Sequence, residues 1–199
     1  MAAQSPDATM REKMLAGQWY RADDAELGAL NQRARTLSAE FHATYPHDMA
    51  GAQVILRRLL AHLGEGAHVR APMWVDYGAH LSIGAHSFIN FNLTALDVCE
   101  IRIGEHCQLG PNVQLLTPIH PLAPTPRLKQ LEAGAPIVVE DNVWLGGGVI
   151  VCPGVRIGED TVVGAGSVVT KDLPAGVLAV GNPARVIKDL PPDSAFRYP

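Results

Sequence analysis

Histidine is the residue type whose imidazole exchanges a proton near neutral pH, which suits it to general-base work. The 199-residue chain holds eight histidines, and the setting of His120 separates it from the rest. It opens the one long stretch that breaks an otherwise regular pattern, LTPIHPLAPTPRLKQLEAGAP from Leu116 to Pro136. Pro121 follows it directly and restricts its backbone. Long loops on rigid scaffolds usually carry function. The residues alone leave two roles open for His120, proton acceptor or ordinary loop residue.

Other residue types offer hydrogen bonds and charge. Asn90, in INFNLT, is an amide able to bind a substrate oxygen, or else a corner residue that ladders with its own kind or holds a left-handed turn. Trp144 precedes Leu145 and the run Gly146–Gly148. Three glycines strip the side chains from a wall, which lets a ligand lie along the backbone; the plainer reading is a tight corner beside an exposed aromatic ring. Lys171 and Arg185 are solvated charges if they act alone, and phosphate ligands if they stand at the end of such a wall.

The remaining histidines and the cysteines raise the question of a metal. His80 and His86 are six residues apart and are expected to stack on adjacent coils, which opens a zinc reading beside the plainer one of solvent-facing corner histidines. His106, after Gly104, has the same plain reading, and His42, His47, His62 and His68 fall in the N-terminal part or its junction as surface or packing residues. Cys99, Cys107 and Cys152 match no zinc spacing and are expected as small core or corner residues in a reduced compartment.

A periodic scaffold must position these groups. In IVVEDNVWLGGGVIVCPGVRIGEDTVVGAGSVVT, an aliphatic residue recurs every six positions at Val139, Leu145, Val151, Ile157, Val163 and Val169. Gly146, Gly158 and Gly164 follow three of them and Cys152 a fourth. Six is the period of a solenoid whose unit is one short strand plus a corner, three units closing a triangular coil with the aliphatic residue pointing inward. The spacing begins at Val69 and Val75, runs through Ile83, Ile89 and Ala95, slips near Leu96–Ile101, and resumes at Ile103, Leu109 and Leu115. Before it the period is helical: Met10, Met14 and Leu15, then Leu27, Leu30, Leu37 and Phe41, then Val54, Leu56, Leu59, Leu60 and Leu63 up to Gly64. Asp23 followed by Glu26 resembles a capping box. The expected organisation is a tail over 1–9, a small helical cap over 10–66, a mainly β solenoid over 67–190 with its inserted loop at about 116–136, and a C-terminal tail over 191–199.

The bulk numbers narrow the class. A hydrophobic fraction of 47% and a charged fraction of 18% are ordinary for a globular protein. A formal net charge of -4 gives no general support for a nucleic-acid partner. The N-terminus MAAQSPDATMREKM has no apolar core segment of a secretory signal, and no apolar run is long enough to cross a bilayer, so a cytoplasmic protein without a membrane partner is expected.

The segments NFNLT, IHP, PIVVEDNVWLGGG, PGVRIGEDTVVGAGSVVTKD and GNPARVI, with MLAGQWYRADDAEL near the N-terminus, resemble the hexapeptide-repeat sugar O-acetyltransferases, the family of maltose, galactoside and nodulation-factor acetyltransferases. The resemblance runs from Met10 to Leu190. It implies a left-handed parallel β-helix assembled as a homotrimer, with acetyl-CoA as co-substrate in grooves between neighbouring subunits, a sugar or related alcohol as acceptor, and no metal. His120 falls on the family's catalytic histidine, which takes the proton of the acceptor hydroxyl. Asn90 and Asp76 fall on acceptor-site positions, and Asp23 lies close to an acidic acceptor contact of the cap, as Asp97 does to another. Gly147 and Ala165 match backbone contacts to the pantetheine arm, and Trp144 matches the tryptophan beside the cofactor channel. Thr170, Lys171 and Arg185 match the nucleotide end. At Gly147 the galactoside enzymes carry serine, so only a backbone contact remains there.

Two other activities use the same kind of solenoid. A zinc-dependent hydratase of the carbonic-anhydrase type needs three converging imidazoles, for which His80, His86 and His106 or His120 are the candidates. A non-catalytic trimeric scaffold needs neither the histidine-bearing loop nor the glycine wall.

Overall fold

The computed structural model describes residues 8–191. Three helices come first: α1 (Met10–Leu15), α2 (Ala25–Thr44) and α3 (Met49–Leu59). Thr9, expected within the tail, is the N-cap of α1 and forms a reciprocal capping box with Glu12. The rest of the expected 1–9 tail, apart from Ala8, and the 192–199 part of the C-terminal one lie outside the described residues. Asp24, rather than Asp23, caps α2: its side chain accepts from the backbone N–H of Glu26 and of Leu27. The expected box does not form: with Asp24 as N-cap the third helical residue is Leu27, which has no side-chain acceptor to reach back to the cap N–H, so only the one-sided cap remains.

Helix α3 ends at Leu59, with Leu60 already extended, and Leu63 belongs to a strand. That strand, His62–Leu63, pairs with Ser82–Ile83, so the first rung of the solenoid starts ahead of the expected Ala67. With it, and apart from Tyr20–Arg21 and the two strands of the insertion, the strands form three sheets of parallel rungs, the faces of a left-handed β-helix. The first face stacks His62–Leu63, Leu81–Ile83, Ile101–Ile103, Ile137–Val139 and Arg156–Ile157. The second stacks His68–Val69, Phe88–Ile89, Gln108–Leu109, Trp144–Leu145, Val162–Val163 and Val177–Val180, with Arg185–Asp189 returning antiparallel on its end. The third stacks Met73–Val75, Leu93–Leu96, Gln114–Leu116, Ile150–Val151 and Val168–Val169.

The six-residue column is the core. On the second face Val69, Ile89, Leu109, Leu145, Val163 and Ala179 stack in register and are buried. The glycines after them are sterically required: a Cβ on Gly146 would lie 2.6 Å from the backbone nitrogen of Ala165 on the next rung. The slips in the period occur at the corner from third to first face, where Val75 to Ile83 and Ala95 to Ile103 span eight residues each. Asp97, fully buried, fills that wider corner and accepts from the backbone N–H groups of Asp76, Tyr77 and His80 at 3.1, 2.8 and 3.1 Å.

The long interruption has structure of its own. Pro118–Ile119 and Leu131–Gly134 form an antiparallel pair, and the latter also pairs with Tyr20–Arg21 from the cap. Between them lies the short helix α4 (Pro124–Leu128). Among the described residues no helix is long and apolar enough to cross a membrane.

Candidate active site

The candidate residues fall on two edges of the triangular prism. The corner between second and third faces carries, rung by rung, Arg70, Asn90, Gly110, Gly146 and Gly164, and one residue further on Phe91, Pro111, Gly147 and Ala165. Arg185 starts the terminal strand beside this edge, paired with Val180. The corner between third and first faces carries Asp76, Asp97, the insertion with His120, and then Thr170 and Lys171. One chain therefore brings Asp76 together with Asp97 and the insertion, and Gly147 together with Ala165, but leaves the third face between Asn90 and His120.

At the second edge the side chains stop. Asn92 and Asn112 take left-handed backbone (φ 64 and 59), as does Gly148 on the next rung (φ 71). The asparagine ladder considered for Asn90 is made by Asn92, whose Nδ2 donates to Asn112 Oδ1 at 2.7 Å. Below Asn112 the edge is glycine and alanine, and among the described residues the N–H groups of Gly147 and Ala165 donate to no backbone acceptor in the chain. Unpaired amides along a bare wall suit the carbonyl oxygens of an extended amide-bearing ligand. Trp144, on the second face at that level, is 55% exposed. Thr170, Lys171 and Arg185 are exposed.

At the third edge the cap, the insertion and the solenoid enclose a cavity of about 260 Å³ whose polar lining is Asn31, Asp76, Tyr77 and Glu132, with Leu27 and Val98 as apolar wall. Tyr20 stands opposite Glu132 in the antiparallel sheet and donates its phenolic proton to Glu132 Oε1 at 2.6 Å. Burial, then the neighbouring Glu132, push the Tyr20 phenol far up. Burial first, then Asp97 and Glu132, raise the Asp76 carboxyl to about 6. Burial also raises Asp97 against the pull of its backbone donors, and His80 Nδ1 bonds to the Asp97 carbonyl at 2.7 Å.

His120 follows the strand Pro118–Ile119, and its imidazole is exposed. Ile119 pairs with Ala133, so continuing the register by one residue sets His120 across from Glu132. Arg127 clamps the following turn: its guanidinium donates to the carbonyls of Pro121 and Leu122, both at 2.8 Å. Asp23 turns away, its carboxylate gripped by Arg21 at 2.9 and 2.5 Å and held below its ordinary range by that bond. Glu132, Tyr20, Asn31 and Arg127 carry no signal in sequence, since they meet only through the non-local pairing of the insertion with the cap.

The histidines do not converge. His86 stacks on His106, at 5.0 Å between ring centroids, and not on His80, because neighbours along the solenoid lie one full coil apart while residues six apart lie on successive faces. Among the described residues no group of three or more His, Cys, Asp or Glu side chains is placed to hold a metal ion. Two wider clefts of about 590 Å³ lie along the first face and the corner that follows it; the second is lined by His86 and His106, and neither holds a residue expected to contact the acceptor or acetyl-CoA.

Three parallel faces built on a six-residue period are the architecture of a hexapeptide-repeat solenoid. The family model "Bacterial transferase hexapeptide (six repeats)" matches residues 136–171, and "Maltose acetyltransferase hexapeptide capping motif" matches residues 13–64. Nodulation protein L of Rhizobium meliloti is 44% identical over 178 residues, covering 89% of this chain and 97% of its own. The crystal structure of a maltose O-acetyltransferase from Clostridium difficile superposes with a TM-score of 0.91 at 42% identity, covering 93% of this chain and 99% of the other. A hexapeptide-repeat acetyltransferase from Vibrio cholerae, complexed with acetyl coenzyme A, gives a TM-score of 0.87 at 38% identity, covering 93% and 100%. The chain belongs to the hexapeptide-repeat acetyltransferases.

Proposed function

We propose that the protein transfers the acetyl group of acetyl-CoA to a hydroxyl of a sugar or related alcohol, at sites shared between the subunits of a homotrimer. His120 accepts the proton of the acceptor hydroxyl while that oxygen bonds to the thioester carbonyl carbon. The carbon–sulfur bond then breaks, the sulfur leaves with the electron pair and takes up a proton, and no acyl-enzyme forms. Asn90 and Asp76 contact the acceptor side. Gly147 and Ala165 offer backbone donors to the pantetheine arm beside Trp144, and Thr170, Lys171 and Arg185 meet the nucleotide and its phosphates. Asp23, tied to Arg21 and exposed, is left with a rim contact to the acceptor at most.

The observation that carries this reading is the division of the candidate residues between two edges. Asn90, Gly147, Ala165 and Arg185 stand at one and Asp76, His120, Thr170 and Lys171 at the next. Acceptor-side and cofactor-side groups are each split in the same way. Apposing the second edge of one copy to the third edge of another joins both halves at once, and threefold closure repeats the junction without leaving a free surface.

Mixing tests the reading directly. His120→Ala and Asn90→Ala homotrimers are each expected to release little CoA with any alcohol. Co-expression should restore activity, because about a quarter of the junctions in randomly mixed trimers draw an intact histidine and an intact asparagine from different copies. Absence of complementation between two inactive variants, or a monomer mass by light scattering at micromolar concentration, refutes the shared site.

A further inference from the structure

The orientation of the Asn90 amide is set by the backbone N–H beside it and reinforced by a residue outside the groups assigned so far. Asn90 Oδ1 accepts the N–H of Phe91 at 2.8 Å, and Arg70 Nη1 reaches the same oxygen at 3.5 Å. Two donors on one side of the amide decide which end is oxygen. They leave Nδ2 facing away as a free donor, without a partner among the described residues. Arg70 and Asn90 share the corner column on successive rungs, Arg70 N–H bonding to Ile89 and Asn90 N–H to Leu109.

Arg70 is itself held. Its guanidinium lies 5.1 Å from the centroid of the Phe88 ring and 4.8 Å from that of Phe91. The Phe88 ring stacks on His68 at 6.2 Å with 5° between planes, and His68 Nε2 meets the hydroxyl of Tyr45 on the cap at 3.2 Å. A continuous line thus runs from the helical cap through Tyr45, His68, Phe88 and Arg70 to the oxygen of Asn90. On the other side of Asn90 in the column stands Gly110, which has no side chain to hold it.

Resting on the proposed role of Asn90, we infer that Arg70 is a positioning residue for acetyl transfer: it fixes the Asn90 amide with its NH2 group presented as a donor to an oxygen of the reacting pair. A cation opposite Oδ1 also polarises the amide and strengthens that donor. An amide held by the Phe91 N–H alone turns more readily and offers its oxygen part of the time, and only the NH2 end binds an oxygen lone pair.

The test is a double-mutant cycle on the full-length assembly with acetyl-CoA and the best alcohol acceptor found by screening. Arg70→Met keeps the stem between the two rings and removes the charge and the donors. It is expected to lower kcat about tenfold, the low end for a hydrogen bond to a charged group, with an unchanged KM for acetyl-CoA. Arg70→Lys should recover part of the loss. On an Asn90→Ala background, Arg70→Met should cost nothing further, because the group it acts through is gone. If Arg70→Met does not assemble, Arg70→Gln takes its place in the cycle. Losses that multiply in the double variant, or a change confined to the KM for acetyl-CoA, overturn the inference while leaving Asn90 in its role. Near-normal turnover in Asn90→Ala alone overturns the role of Asn90 and, with it, that of Arg70.

Discussion

Asp76→Asn tests whether the cavity at the third edge was kept polar at the expense of stability. Asp76 rises from 3.8 to about 6, burial contributing most, then Asp97, then Glu132. The sign follows from linkage. A carboxyl raised on folding favours the folded state while protonated, so its contribution is full below pH 3.8 and is lost as pH rises through about 6. A shift of about two units corresponds to about 3 kcal/mol at neutral pH; sharing among three coupled carboxylates and partial access to the cavity bring the expectation to roughly 1–3 kcal/mol. The substitution loses no hydrogen bond within the described residues, because those at Asp76 are made by its backbone. Thermal unfolding at fixed subunit concentration should then show nearly equal melting temperatures for both proteins at pH 4. At pH 8 the variant should melt higher, by about 2–4 °C per kcal/mol for a chain of this size. Turnover with the acceptor should fall at the same time, the usual signature of a strained group retained for a ligand. A shift independent of pH, or a variant less stable at pH 8, refutes the assigned coupling.

Two further outcomes concern the transfer itself. His120→Ala should lower kcat by about 10²–10⁴-fold with little change in acetyl-CoA affinity, since a general base acts chiefly in the transition state; His86→Ala and His106→Ala should keep most activity, and an inactive His86→Ala with an active His120→Ala reverses the assignment. Lys171→Ala and Arg185→Ala should each raise the KM for acetyl-CoA, by about tenfold where the phosphate contact is well made and less where it is solvated, and unchanged values in both place the nucleotide elsewhere.

What could be read in the sequence is what repeats or is contiguous. The hexapeptide column predicts the buried stack because each coil imposes the same steric demand, and the glycine corners announce themselves because a side chain there meets the next rung. The insertion is visible as a break in period, and Pro121 marks His120. The pairing of the insertion with the cap is not visible, because Tyr20 and Glu132 meet across 112 residues of chain. Asp97 reads as one polar residue where the period slips, and only the wider corner shows it gathering three amides. The histidine stack was misplaced for a geometric reason: six residues advance one face, and a full coil is needed to return to the same corner, as from His86 to His106. Arg70 has no motif at all, since its partners lie on the next rung.

The levels of these features along the prism axis bear on the shared site. The insertion leaves the solenoid after the third-face strand Gln114–Leu116; on that same coil the edge carries Gly110, Pro111 and Asn112, and on the next it is bare at Gly146 and Gly147. Asn90 stands one coil nearer the cap, as does the Asp97 corner beside the polar cavity. In an assembly with a threefold axis parallel to the prism, equal heights on different copies come together. On the proposed shared site, His120 of one copy then lies near the height at which the polar side chains of its neighbour's edge, Asn90, Asn92 and Asn112, give way to the glycine rungs. On the proposed assignment of acceptor and cofactor, a proton acceptor placed at that height would lie where a hydroxyl and a thioester meet. On the same proposal, the loop one coil earlier or later would face only one of the two substrates, a geometric reason for the long interruption to fall between Leu116 and Pro136.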